Sequence, residues 1–94
     1  MILIDPPRWP HRGTVWSHLV SDDSYEELHA FAAGMDIPRR AFQGDHYDLP
    51  QERYDRAVEL GAVPTDSREL LRRLVASGLR RRRQRPSAAA SSRS

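Results

Sequence analysis

The sequence predicts a small α/β fold: a three- to four-stranded, mainly parallel sheet with about three helices, a reduced form of the doubly wound type. Three observations carry this. Short apolar runs alternate with segments of helical periodicity, the order that right-handed crossovers produce. Helix-start signals stand at Ser24 and Asp66, and glycine or proline punctuates the junctions. The chain has 94 residues, enough for one domain with a thin stability margin. The expected organisation is one α/β domain over residues 1–79 and a disordered Arg/Ser/Ala tail over residues 80–94.

Met1–Asp5 is a short isoleucine-containing apolar run stopped by Pro6 and Pro7, which reads as a buried strand ending at Asp5. Pro6 to Gly13 reads as a loop. Val15–Val20 carries β-branched and aromatic residues; as a strand it places Val15, Ser17 and Leu19 on one face and Trp16, His18 and Val20 on the other. Ser24 then opens a helix, with Glu27 three residues on as a capping box and Leu28, Phe31, Ala32 and Met35 as its apolar stripe. Gly34 and Pro38 mark its end. Arg39–Gln43 is a weak strand centred on Ala41 and Phe42, broken by Gly44. Pro50 suits the first turn of a second helix running to about Leu60. Ala62–Val63 is a very short strand. Asp66 and Glu69 form another capping pattern before Leu70, Leu71, Leu74 and Val75, and Gly78 stops the third helix.

From Arg80 the chain reads RRRRQRPSAAASSRS, with no aromatic or large aliphatic residue to offset the entropy of ordering. Charge divides at the same place. Residues 1–79 carry 9 arginines and 13 acids, a net −4; the tail carries 6 arginines and no acid. The tail is therefore the expected source of any weak nucleic-acid contact, by phosphate charge, although it lacks interleaved aromatics. The plainer reading of such a charge block is a solvated tail.

Cysteine is absent, which removes disulfides, thiolate metal sites and cysteine nucleophiles. A metal would have to be held by imidazole, carboxylate or backbone oxygen. The N-terminal segment lacks a basic region and a long apolar run, and no stretch approaches the ~20 apolar residues of a membrane span. A cytoplasmic protein without membrane contact is the expectation. No nucleophile elbow, phosphate-binding loop, dinucleotide fingerprint or zincin helix is present.

The candidate chemistry rests on a sparse polar set. His46 and Asp48 point to one face of an extended segment, a spacing that suits a shared metal ion or a carboxylate orienting a general base. The plainer reading has Asp48 as the N-cap of the helix that Pro50 begins. His18 lies in an apolar run, where a histidine satisfied by a core hydrogen bond is the ordinary case. With His46 and Asp48 it makes the candidate catalytic or metal-binding group, and a divalent metal is the cofactor such a set would take. Asp5 is either an Asx-type turn or the first acidic ligand of a strand-end site. Asp5, His29 and Arg40 complete the candidate ligand-binding residues: His29 borders the apolar stripe, and Arg40 follows Arg39 as a weak anion-binding pair.

The runs ILID, WSHLVSD, ELHAFA and GDHYD, in that order, resemble a family of short bacterial and phage proteins, a domain of unknown function (four-zero-three-one). The resemblance covers about residues 1–75 and leaves out the tail. The family's pattern falls on Asp5, His18, Asp22, Glu27, Leu28, His29, His46, Tyr47 and Asp48. It implies no established activity, so it sharpens the site and not the reaction. Two functions remain open: a domain with a His/Asp polar or metal site, enzymatic or not, and a non-catalytic module binding nucleic acid or protein through the basic tail. Convergence of the four side chains within ~5 Å of one point favours the first; an arginine-lined face continuous with the tail favours the second.

Overall fold

The computed structural model describes residues 1–80; the expected tail from residue 81 onward lies outside the described residues. Eight principal elements follow in order: β1 (Ile2–Ile4), β2 (Trp9–His11), β3 (Thr14–Ser21), α1 (Tyr25–Gly34), β4 (Tyr47–Pro50), α2 (Tyr54–Glu59), β5 (Val63–Pro64) and α3 (Ser67–Ser77). Single 3₁₀ turns at Arg39–Ala41 and Gln51–Arg53 lead into β4 and α2.

The α/β class and the three helices stand, but the sheet is mixed and mostly antiparallel rather than mainly parallel. β3 is its long central strand. β1 and β2 both pair antiparallel with β3, β4 pairs antiparallel with it, and β5 pairs parallel with β1. Trp16 is matched to Trp9 and to Pro50, and Leu19 to Ile4 and to Tyr47, so β1 and β2 share one edge of β3 and β4 takes the other. The departure begins in the proline-rich segment. It is a hairpin arm, not a loop: Arg12 and Gly13 both take positive φ (53° and 78°), and the chain returns along itself. Pro10 is tolerated there because β2 is an edge strand.

Other local expectations are met or corrected for identifiable reasons. The Ser24 side chain accepts from the Glu27 N–H, as an N-cap should. The reciprocal half of the box is missing, because Glu27 turns to Ser21 Oγ and the Met1 amine. Arg39–Gln43 is not a strand but begins as a 3₁₀ turn. Asp48 does not cap the second helix; it lies inside β4, and the N-cap position of α2 is Arg53, which makes no side-chain cap bond. Asp66 accepts from the Arg68 and Glu69 N–H groups, and Gly78 closes α3 in the left-handed conformation at φ 83°.

Alternation along the strands sends residues into two cores. Ile2, Ile4, Leu19, Tyr47 and Leu49 face α1 and α2, packing on Leu28, Ala32, Met35 and Ala57. Leu3 and Val20 face α3 and pack on Leu70 and Leu74. The result is α1 and α2 on one face of the sheet and α3 on the other. The α3 layer covers only the β1 end of its face. Towards β2 the polar residues of the same face are left along a cleft.

Candidate functional site

The sheet's registers decide which of the polar residues meet. Asp5 is two residues beyond Leu3 and shares its α3-side face. His18 is two residues before Val20 on that same face. His18 stands directly opposite Asp48 across the β3–β4 ladder, and His46 precedes Tyr47 at the start of β4. Three of the four candidates, His18, His46 and Asp48, are thereby brought together, with Asp5 behind His18 and outside the group.

Asp5 is the buried anchor, with 1% of its surface exposed. Its carboxylate accepts from the His18 backbone N–H at 2.6 Å, from the His18 ring at 2.9 Å and from Ser67 Oγ at 3.0 Å. Burial works to raise its pKa, but the bonds from the His18 ring and backbone and from Ser67 outweigh burial and hold it below the usual carboxylate range. A carboxylate can only accept, so His18 Nδ1 is the donor and Nε2 is the free nitrogen. The bond to Asp5 holds the His18 pKa above its ordinary value, against burial, which pushes it down.

His46 repeats the arrangement. Its Nδ1 lies 2.8 Å from Asp45 Oδ1, and its Nε2 lies 3.3 Å from Asp48 Oδ1. As an imidazolium it donates to both carboxylates. As a neutral ring with Nδ1–H towards Asp45, it turns a lone pair at Asp48, two acceptors with a cation's place between them. The His18 and His46 rings meet edge to face at 5.3 Å between centroids. One ligand atom from each of His18, His46 and Asp48 lies within 4.8 Å of the other two.

Each histidine is thus held at Nδ1 by an aspartate behind it. That second layer of carboxylates fixes tautomer and ring orientation in metal sites. Two grooves of about 480 and 560 Å³ open here, and Trp9, His18 and His46 line both. The Trp9 ring stands 5.1 Å from that of His18.

Two candidate residues are not in the site. His29 lies on the α1 side of the sheet, with Nδ1 2.7 Å from the Tyr47 hydroxyl and its ring against Phe42. Burial, then the Arg39 charge, lowers its pKa. Tyr47 sits between His46 and Asp48 in sequence and faces the opposite way, as strand alternation requires. Arg40 is exposed on the 3₁₀ turn and lines neither groove. Three further residues line the cleft beside the candidates: Asp45, Ser67 and Trp9. Asp45 was visible as the acid beside His46. Ser67 follows the α3 cap and gave no signal. Trp9 was obscured by reading its segment as a loop.

The family model described as Protein of unknown function (DUF4031) matches residues 2–77, and the chain belongs to that family. No curated protein and no solved structure matches it.

Proposed function

We propose that this DUF4031 chain binds a divalent transition metal through His18 Nε2, His46 Nε2 and the Asp48 carboxylate, with Asp5 and Asp45 as the orienting carboxylates behind the two imidazoles. The observation that carries the reading is the pair of Asp–His contacts at 2.9 and 2.8 Å, which occupy both Nδ1 atoms and make the Nε2 atoms the ones able to take a metal. Three carboxylates stand around the two imidazoles, an arrangement of acceptors and charge that a dication would complement. Imidazole with carboxylate suits zinc, iron, nickel or manganese rather than the all-oxygen cages of calcium. Three protein ligands leave coordination positions open on the groove side. Such a metal supplies Lewis-acid polarisation and activation of bound water.

Calorimetric titration of the full chain with zinc, manganese and nickel tests this. At least one metal binds the wild type with a dissociation constant below ~100 μM, about 5.5 kcal/mol of binding free energy. His18→Ala, His46→Ala and Asp48→Asn each weaken it at least tenfold. Asp48 is exposed in β4 and caps no helix, so Asp48→Asn keeps the fold while removing the charge. No binding to the wild type, or equal binding to all three variants, contradicts the reading.

A further inference from the structure

We propose that the cleft on both sides of the His18–His46 pair holds a single-stranded nucleic acid, with Trp9 stacking on a base beside the metal centre. The inference rests on the metal reading for the centre of the cleft and adds the class of molecule that occupies it.

Trp9 is the first observation. It is 44% exposed in an edge strand, yet its ring is set against His18 at 5.1 Å. An indole face left open at a site offers a stacking platform that every base can use. The second is the shape of the cleft. The two grooves have Trp9, His18 and His46 in common and extend away from them in different directions, one under α3 and one along the β2–β3 hairpin. A small ligand fills one groove; a chain passing the centre uses both.

The third observation is charge. Three carboxylates line the grooves: Asp5 is paired with His18, Asp48 with His46, and Asp45 with both His46 and, at 3.9 Å, Arg80. The other charged lining groups, histidine apart, are Arg12 in one groove and Arg68 and Arg80 in the other. The sequence continues from Arg80 with Arg81, Arg82, Arg83 and Arg85. Arg80, the first arginine of that run, lines the cleft. An acidic peptide would answer the arginines; a strand of bases answers both them and the indole.

The test uses the full chain in a chelating buffer, so that it does not depend on bound metal. A fluorescently labelled twelve-nucleotide thymidine strand is titrated at about 50 mM salt, where phosphate contacts are strong. Binding accompanied by quenching of tryptophan emission is expected. Trp9→Ala weakens the affinity about tenfold, within the range for losing one stacked base. Trp9→Phe keeps most of the affinity and loses part of the quenching, the remainder coming from Trp16, which also lines the groove along the hairpin. Arg68→Ala reduces the salt slope by about one. Unchanged affinity in Trp9→Ala assigns binding to tail charge alone and overturns the proposal. Thymidine monophosphate competing as tightly as the strand overturns it as well, since one nucleotide would then be the ligand. Zinc binding without strand binding overturns this proposal and leaves the metal reading standing; Trp9-dependent strand binding without metal binding does the reverse.

Discussion

At the residue scale, Asp5 is the side chain on which most else depends. It is buried as a carboxylate and accepts three hydrogen bonds, two from His18 and one from Ser67. Asp5→Asn keeps the shape but replaces one accepting oxygen by a donor, which then faces another donor. A loss of about 2–3 kcal/mol is expected, the scale of losing a charged acceptor's bonds, read as a lower urea midpoint. The pH dependence has a definite sign. Asp5 has a lowered pKa, so its contribution is present above about pH 4 and fades as pH falls below that. His18 has a raised pKa, so its contribution is complete below about pH 6.5 and fades as pH rises through the folded-state value. In chelator, the stability gap between wild type and Asp5→Asn is therefore widest between about pH 4 and 6.5. A gap that stays constant from pH 3 to 9 contradicts the pairing. The sequence made Asp5 a candidate because it ends an apolar run before Pro6. Nothing in the sequence placed Ser67, 62 residues away, on its carboxylate.

At the scale of elements, β4 shows what alternation can and cannot tell. That His46 and Asp48 share a face was legible from their spacing, and so was the opposite direction of Tyr47. The partner strand was not, because periodicity fixes faces but not strand direction. Three errors followed from that gap: the parallel sheet, the strand at Arg39–Gln43 and the capping role for Asp48. The segmentation at Ser24, Asp66 and Gly78 was legible because caps are local chemistry. Two predictions belong here. Tyr47→Phe removes the hydroxyl beside His29 Nδ1 on the α1 side, costing about 1 kcal/mol, while zinc affinity stays within about twofold, a change too small for a lost ligand. A tenfold loss of affinity would show that the two faces of β4 are coupled. Asp66→Ala removes the α3 cap and costs about 1 kcal/mol, whereas Asp66→Asn costs little because asparagine also caps. Equal losses for the two would show that the carboxylate charge, not the cap, is what α3 needs.

At the scale of the whole molecule, the three layers are unequal, and the inequality makes the cleft. α1 and α2 cover their face of the sheet with the larger core, while α3 brings only Leu70 and Leu74 against Leu3 and Val20. The polar end of β3 is left uncovered, and Trp9 and the arginines surround it. The described chain ends by packing: Leu79 joins the α3 core and its carbonyl accepts from the Tyr25 hydroxyl. We propose that residues 1–80 are the folding unit. Removing residues 81–94 should shift the melting temperature by no more than about 4 °C, the reach of a surface change of ~0.5 kcal/mol in a domain of this size. A larger drop would show that the arginine block contributes to the fold.

The most direct test of the central claim is an anomalous-scattering map from crystals of the zinc-loaded full chain. One strong peak is expected in the cleft, with His18 Nε2 and His46 Nε2 at about 2.0–2.1 Å and an Asp48 oxygen at about 2.0–2.2 Å. The Asp5 and Asp45 bonds to the two Nδ1 atoms should remain in place. A peak bound through either Nδ1, a peak at His11 or His29 instead, or none at all would contradict that claim.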